Sequence, residues 1–340
     1  MADQVLVTGG SGFIGGWCVA KLLSAGYVVR TTVRDLKRET EVRRAIATVE
    51  PAALDPQRLT FHVASLDADD GWAAATAGCR YVLHVASPVP AVQPKDPDDL
   101  IRPARDGALR VVKAAVEAGV ERVVMTSSVA AVGESGREGV KDERDWTDLN
   151  AAGVTPYSQS KTIAERAVRD WMAQHGGATT LATVNPVVVL GPVMSGDFSA
   201  SVQVVSRMLD GKLPGVPNLG FNMVDVRDVA DLHLLAMTVP QAAGGRYIAA
   251  SDFLWMQGVA DILRRNLPER ADKVPARKLP DWLVRLVSVF DPALKSVTGG
   301  LSRKREFSAA RAQSDLGWRP RSAEESVIAA GQSLIAHGVV

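Results

Sequence analysis

The sequence predicts an α/β fold: a doubly wound parallel sheet with a smaller, mostly helical lobe. Three observations lead to this prediction. Short runs rich in Val, Leu and Thr alternate with amphipathic segments through the first half of the 340-residue chain. These runs are apolar on both faces, which is typical of parallel strands covered by helices on each side. The alternation stops after about Pro192, where the turn-rich segment 211–217 precedes mainly helical patterns.

The alternating part of the chain predicts six strands, at Val5–Thr8, Val28–Val33, Leu59–Val63, Tyr81–Val85, Arg122–Thr126 and Thr179–Asn185. The segments between them predict helices at Ile14–Ser24, Glu39–Thr48, Leu100–Ala118 and Tyr157–His175. Connections of this kind join parallel strands by right-handed crossovers, so the expected sheet is Rossmann-like. Beyond Pro192, helices are predicted at Val226–Met237, Met256–Asn266 and Asp281–Val289.

The composition excludes several classes of protein. Lys and Arg total 39 against 38 Asp and Glu, a net charge of +1, whereas a general nucleic-acid binder needs a basic surplus. No apolar run approaches the ~20 residues that span a membrane. The N-terminus lacks the pattern of a secretory signal. The two cysteines, Cys18 and Cys79, form no disulfide framework or metal set, so we expect no metal site and a cytoplasmic location.

The turn after the first strand is rich in glycine and opens the first helix. Gly9, Gly12 and Gly15 permit a tight turn, close approach of the backbone to a pyrophosphate, and close helix–sheet packing. The free N–H groups at the helix start attract the anion. A plain strand–helix turn is the alternative. We therefore predict a dinucleotide cofactor bound by the residues of this turn: Thr8, Gly9, Gly12, Phe13, Ile14 and Gly15.

The end of the second strand indicates which dinucleotide is bound. An acidic residue here favours NAD, whereas an arginine accommodates the 2′-phosphate of NADP. Arg34 comes first and Lys37 follows, and both favour NADP. Asp35 favours NAD instead, unless its side chain caps the next helix. We favour NADP(H) over NAD(H). On this basis residues 1–191 form the dinucleotide-binding domain, its sheet completed by parts of 222–250, and residues 192–221 and 251–325 form the substrate-binding lobe.

A second group of polar residues lies further along the chain. Tyr157 and Lys161 are four residues apart, which places both on one face of a helix. Ser127 and Ser128 follow the fifth strand, at the carboxyl edge where open α/β sheets bind ligands. Each feature alone is weak. The glycine turn, the strand-end serines and the Tyr/Lys pair in this order are together a specific pattern.

In these motifs the sequence resembles the extended short-chain dehydrogenase/reductase family. It is most similar to the branch of dihydroflavonol reductases, cinnamoyl-CoA reductases and microbial aldehyde or ketone reductases. The resemblance covers nearly the whole chain, and it also includes the segments Val82–Pro88, Val184–Pro186, Asp225–Ala230 and Leu316–Trp318.

The resemblance implies a role for each polar residue. Ser128 would hydrogen-bond the substrate carbonyl, with Ser127 as the alternative in register. Tyr157 would donate the proton, and Lys161 would bind the nicotinamide ribose. Further cofactor contacts are implied at the other strand ends, from Ser65, Leu66, Val85, Ala86, Ser87, Ser127, Asn185, Pro186 and Val188.

Two positions depart from the family pattern. Ser65 stands where the family usually has an Asp that contacts the adenine amine. Gly133 stands where plant dihydroflavonol reductases have an Asn that contacts the flavonoid, which weakens the case for a flavonoid substrate.

The expected substrate pocket lies between the carboxyl edge of the sheet and the smaller lobe. Besides Ser128 and Tyr157, its predicted lining is Val129, Val132, Pro192, Val193, Phe198 and Phe221. An apolar lining favours a small apolar or aromatic carbonyl compound over a phosphorylated sugar. We predict an NADPH-dependent reductase of aldehydes and ketones, acting reversibly as a monomer or homodimer. The alternatives are an NAD-dependent nucleotide-sugar epimerase or dehydratase, and a non-catalytic redox-sensing protein.

Overall fold

We analysed the fold in a computed structural model, which describes residues 2–89, 94, 96–134, 136–151, 153–196, 198–288 and 298–340. The described residues form strands β1 (Gln4–Thr8), β2 (Val28–Val33), β3 (Leu59–Val63), β4 (Tyr81–His84), β5 (Arg122–Thr126), β6 (Thr180–Pro186), β7 (Val188–Leu190), β8 (Val216–Pro217), β9 (Gly220–Asp225), β10 (Arg246–Ala249), β11 (Phe253–Trp255) and β12 (Lys278–Leu279).

Their helices are α1 (Phe13–Ser24), α2 (Glu39–Ala47), α3 (Trp72–Thr76), α4 (Asp98–Glu117), α5 (Pro156–His175), α6 (Ala200–Leu209), α7 (Val226–Thr238), α8 (Met256–Asn266), α9 (Asp281–Ser288), α10 (Ala310–Leu316) and α11 (Ala323–Ala336). Short 3₁₀ turns lie between several of them, including Val129–Ala131 directly after β5.

The central sheet has seven strands within the described residues, in the order β10-β6-β5-β4-β1-β2-β3, and every neighbouring pair is parallel. The strand order reverses between β1 and β4, where Thr8 lies opposite His84. In sheets of this kind ligands bind outside the carboxyl ends of the strands at such a reversal. The topology therefore places Thr8 and the residues after His84 at the expected cofactor site.

Apolar residues cover both faces of this sheet. One face packs against α1, α2, α7 and α10, and the other against α3, α4 and α5. The strands are buried on both sides, since β1, β4 and β5 expose almost nothing. This burial explains why their sequences read as continuous Val- and Leu-rich runs.

A second cluster of buried side chains forms the smaller lobe. It combines α6, α8 and α11 with β7 and β9. β9 is central in a three-stranded sheet, parallel to β7 and antiparallel to β11. Only Val187 separates β6 of the large sheet from β7 of the small one, and β9 continues directly into α7.

The fold class predicted from the sequence is confirmed. The predicted strands and helices occur with bounds that differ by at most two residues, and β10 supplies a seventh strand from within 222–250. The predicted end of α9, Val289, lies outside the described residues. The sequence patterns did not predict α3, α6, α10 and α11. The division of the chain into two domains stays a prediction.

Candidate active site

The glycine turn after β1 is held by hydroxyl groups of β2. The N–H of Gly9 donates to Thr32 Oγ1 at 3.1 Å, and that of Gly10 donates to Thr31 Oγ1 at 3.1 Å. Gly9 has a φ of +72°, which favours glycine. A Cβ atom on Gly15 would lie 2.2 Å from the carbonyl oxygen of Gly9, so a side chain there would displace the turn. The start of α1 is thereby kept close to the glycine turn. The first N–H groups of a helix have no acceptor within the helix and are available to a ligand.

The side chain of Thr8 joins the two strands that flank the reversal. Its Oγ1 accepts hydrogen bonds from the N–H groups of Val85 and Ala86 at 3.1 and 3.0 Å. The same hydroxyl lies 2.9 Å from Nδ1 of His84. Burial, with a further contribution from the charge of Lys161, lowers the pKa of His84 to about 3. His84 is therefore a neutral, structural side chain at neutral pH, and it fixes the segment that leads to Ser87.

The loop after β2 presents two cations. Arg34 and Lys37 are both exposed, whereas Oδ1 of Asp35 accepts a hydrogen bond of 2.9 Å from the N–H of Lys37. Asp35 thus caps the short 3₁₀ turn Leu36–Arg38, which is the capping role considered for it from the sequence. The carboxylate of Asp35 makes its hydrogen bond within the loop, whereas the side chains of Arg34 and Lys37 face solvent beside the carboxyl end of β2.

Ser127 and Ser128 differ in what their hydroxyl groups do. The hydroxyl of Ser127 is buried and donates to Oε2 of Glu165 at 2.6 Å. Ser128 is half-buried, and its Oγ accepts from the N–H of Ala130 at 3.1 Å. That contact leaves the hydroxyl hydrogen of Ser128 without an acceptor among the described residues. Ser128 is the better placed of the two to donate to a substrate.

Tyr157 and Lys161 lie on one face at the start of α5. The helix begins at Pro156, and Oγ1 of Thr155 caps it by accepting from the N–H of Ser158 at 3.1 Å. Nζ of Lys161 is 5.9 Å from the centre of the Tyr157 ring. Lys161 is only 5% exposed, yet its ammonium makes no hydrogen bond or ion pair with the described residues.

Asn185, near the end of β6, carries a polar atom that lacks a hydrogen-bond partner within the described chain. Its Nδ2 donates to the carbonyl oxygen of Ser128 at 3.2 Å and to Oε2 of Glu165 at 2.9 Å. Its Oδ1 is buried and has no partner among the described residues. Pro186 ends the same strand, and the half-buried Val188 begins β7.

These observations test whether a dinucleotide fits the site. The buried amide oxygen of Asn185 needs a polar partner, since leaving such a group unpaired is costly. The ammonium of Lys161 has no acceptor among the described residues and can donate to the same ligand. Backbone at the glycine turn comes close enough that side chains are excluded at Gly9 and Gly15. The residues at the glycine turn, together with Lys161 and Asn185, therefore fit a nicotinamide dinucleotide. Within the same described ranges, no group of three or more His, Cys, Asp or Glu residues is arranged to hold a metal ion.

The remaining predicted cofactor residues lie at the same edge of the sheet. Ser65 and Leu66 follow β3 and are half-buried. Oγ of Ser65 accepts a 3.3 Å hydrogen bond from the N–H of Asp67. The hydrogen of this hydroxyl has no acceptor within the described chain, so it can donate to a ligand. Phe13, Ile14 and Ser87 are half-buried as well.

The predicted substrate residues come from both lobes. Val129 is half-buried in the turn after Ser128, while Val132 is fully buried in the main core. The carbonyl oxygen of Pro192 accepts a 3.0 Å hydrogen bond from the indole N–H of Trp17. Val193 is buried and Phe198 and Phe221 are partly buried in the smaller lobe, against its cluster of apolar side chains. Their assembly into one substrate pocket stays a prediction.

Sequence reasoning missed the polar groups that support the site. Thr31 and Thr32 fix the glycine turn, and Glu165 and Arg246 meet beneath the strand-end serines. One signal for Glu165 was present, because it is four residues beyond Lys161 and so shares its helix face. Arg246 gave no local signal, since its partner is distant in the sequence.

Comparison with known proteins identifies the family. A model of the NAD dependent epimerase/dehydratase family matches residues 5–250. Cinnamoyl-CoA reductase 1 of Arabidopsis thaliana is 38% identical over 272 residues, 78% of this chain and 75% of that protein. Dihydroflavonol 4-reductase of Zea mays is 35% identical over 274 residues, 78% of this chain and 74% of that protein.

A solved structure has the same fold over almost the entire chain. The yeast methylglyoxal/isovaleraldehyde reductase Gre2, crystallised with NADPH, matches with a TM-score of 0.80 and 24% identity, covering 99% of this chain and 100% of that one. Fold and site together define a protein built around a nicotinamide dinucleotide. The chain belongs to the NAD dependent epimerase/dehydratase family, and within it to the dihydroflavonol reductase and cinnamoyl-CoA reductase branch of the extended short-chain dehydrogenase/reductases.

In the described part of the chain, none of the helices combines the length and the apolar character needed to cross a membrane.

Proposed function

We propose that this protein reduces a small apolar or aromatic aldehyde or ketone to the alcohol, with Tyr157 as the proton donor. The chain is an NADP(H)-dependent oxidoreductase of the branch identified above. The observation that carries the finer proposal is the arrangement at the start of α5. A phenol and the ammonium of a largely buried lysine share one helix face. This helix packs against the turn that follows Ser128, whose hydroxyl hydrogen is available.

Each of these three side chains has a distinct task in carbonyl reduction. Bound NADPH supplies the hydride. The hydroxyl of Ser128 donates to the carbonyl oxygen and holds it where negative charge develops. The phenol of Tyr157 then protonates that oxygen, giving the alcohol. The ammonium of Lys161 favours the phenolate that remains, and it binds the ribose of the cofactor.

The loop after β2 supports NADPH over NADH. A 2′-phosphate carries charge that Arg34 and Lys37 can neutralise, and both side chains are exposed at the carboxyl end of β2. Asp35 accepts a hydrogen bond from the N–H of Lys37, so its side chain is held within its own loop. This pattern disfavours the NAD-dependent epimerase or dehydratase alternative.

The substrate class rests on the apolar side chains beside the serine. Val129 follows Ser128 in the chain, and Phe198 and Phe221 are partly buried residues of the smaller lobe that we assign to the same pocket. Such a lining suits a hydrocarbon or aromatic group and offers little to a sugar phosphate. Replacing Phe198 and Phe221 by Ala should alter the preference between aromatic and short aliphatic carbonyls. An unchanged preference would remove both residues from the pocket.

The experiment is to follow the loss of nicotinamide absorbance with NADPH, and separately with NADH, over a panel of aromatic aldehydes, α-ketoesters and diketones. Tyr157→Phe should bind NADPH normally but lose at least about a hundredfold in kcat, because the ring remains while the acid is removed.

Tyr81→Phe is the matched control. It removes the phenolic hydroxyl of a buried tyrosine. Tyr81 is the first residue of β4 and so lies at the amino ends of the strands, away from the candidate site, and turnover should be unchanged. Full turnover in Tyr157→Phe would refute the proton-donor role. Cofactor that stays bound as NAD, together with epimerisation of a nucleotide sugar, would favour the alternative function.

A further inference from the structure

Glu165 is a fully buried carboxylate on the catalytic face of α5. It lies one turn beyond Lys161 and about two turns beyond Tyr157, and its exposed fraction is 0%. A buried carboxylate is stable only when it is paired and hydrogen-bonded. Its partners therefore show what this residue holds in place.

Arg246 reaches both carboxylate oxygens of Glu165, with its Nη2 donating to Oε2 at 3.3 Å, and the other partners of the two oxygens differ. Oε2 accepts from the hydroxyl of Ser127 at 2.6 Å and from Nδ2 of Asn185 at 2.9 Å. Oε1 accepts from Nε of Arg246 at 2.6 Å and from the hydroxyl of Thr183 at 3.1 Å. Oε2 thus faces the site, and Oε1 faces the strands behind it.

The carboxylate is ionised despite its burial. Burial alone would raise the pKa of Glu165, but Arg246 and then Arg169 outweigh it, and the net pKa lies below the usual range. Arg246 is itself 5% exposed and lies 3.6 Å from the centre of the Trp146 ring. An ionised carboxylate accepts hydrogen bonds and donates none, so the orientation of every group around it is fixed.

Both site-facing partners of Glu165 act on Ser128. Ser127 precedes Ser128 in the chain, and Nδ2 of Asn185 also donates to the carbonyl oxygen of Ser128 at 3.2 Å. Ser128 is thereby held by its covalent neighbour Ser127 and by the hydrogen bond from Asn185 of β6. We propose that Glu165 is a positioning residue, which sets the hydroxyl of Ser128 at the point where the substrate carbonyl is bound; this inference rests on the proposed function.

Replacing Glu165 directly would leave Arg246 with an uncompensated buried charge, and such a variant can fail to fold. A pair of hydroxyl deletions avoids this difficulty. Ser127→Ala removes one donor to Oε2, and Thr183→Val removes one donor to Oε1. Thr183→Val also removes the hydroxyl that accepts from Nη2 of Arg169 at 2.5 Å, so it is the more severe change to the network behind the site. Both hydroxyls are buried, and both changes leave the ion pair intact.

The measurements are kcat and KM for a carbonyl that the wild type reduces, the NADPH Kd by fluorescence titration, and the urea midpoint of unfolding. If Glu165 positions Ser128, Ser127→Ala should lower kcat by about tenfold or more, since small displacements of a reacting group are costly. Its NADPH Kd should stay within about twofold of the wild type. Thr183→Val should shift the midpoint by at least as much and retain wild-type kcat.

Equal kcat values in the two variants would overturn the inference, as would a fall in kcat that follows the loss of stability in both. A selective rise in NADPH Kd for Ser127→Ala would also overturn it, because Ser127 would then act on the cofactor. Failure of the proposed function looks different: the wild type would bind NADPH but reduce none of the carbonyls.

Discussion

Lowering the pH from about 7 to about 5 should destabilise this protein, because two histidines are buried as neutral side chains. Burial, helped by the charge of Lys161, lowers the pKa of His84 to about 3. Burial also lowers the pKa of His233 to about 4, although its bond to the carbonyl oxygen of Val229 opposes this effect. Since Nδ1 of His233 donates to that carbonyl, its Nε2 accepts from the hydroxyl of Thr126 at 2.7 Å.

The sign and the size of the effect follow from proton binding. In the unfolded chain histidine has a pKa near ~6.5, so below that pH the unfolded state binds protons that the folded state excludes. The contribution to stability is present above about pH 6.5 and is lost as the pH falls toward the folded-state values. Each pH unit below ~6.5 removes about 1.4 kcal/mol per histidine, which gives about 2 kcal/mol for each residue between pH ~7 and ~5.

A histidine variant isolates this effect from other titrating groups. Burial raises the pKa of Glu143 and of Asp228, and those shifts act in the opposite direction. His233→Gln should therefore be compared with the wild type by urea unfolding at both pH values. The loss of unfolding free energy on acidification should be smaller by about 2 kcal/mol in the variant. His175→Gln, at an exposed position, is the control. A variant that loses as much stability as the wild type would refute the reasoning.

Three further changes test the cofactor site. Arg34→Ala should raise the KM for NADPH by roughly tenfold or more and leave the KM for NADH nearly unchanged, because a charge-assisted contact to the 2′-phosphate is lost; steady-state kinetics with both cofactors check this, and equal changes would contradict it. Gly15→Ala should weaken NADPH binding by at least about tenfold, since the added methyl lies 2.2 Å from the Gly9 carbonyl oxygen; a titration showing wild-type affinity would show that the turn adapts. Thr8→Val should lower the unfolding free energy by about 2–4 kcal/mol, because two N–H groups at the end of β4 lose their acceptor; an unchanged urea midpoint would mean that they find other partners.

The parts of the fold that the sequence predicts best are those with a dense local signal. β2, β3 and β5 were predicted with the observed bounds, because each is a short run of strand-forming residues that ends abruptly at a polar loop. Helix α11 was missed although a signal was present. Ser322 and Glu325 form a capping box at its start, and the S-x-x-E spacing that produces this box is visible in the sequence.

The candidate site was predictable where its residues are close in sequence. The spacing of Tyr157 and Lys161 placed them on one face of α5, as observed. The choice between Ser127 and Ser128 could not be made in that way. The choice depends on which serine hydroxyl donates to Glu165, and that hydrogen bond joins the end of β5 to α5. Contacts of this kind arise only when the sheet is assembled.

The short crossings between the two sheets bear on how the molecule opens and how it unfolds. Val187 alone links β6 to β7, β9 passes into α7 without a break, and three residues connect β10 to β11. A hinge needs a few residues that can change their backbone angles, and among these crossings only the one from β10 to β11 supplies them. Rotation of one lobe against the other is therefore restricted at the other two crossings. For the same reason we expect both lobes to unfold together, in one cooperative transition.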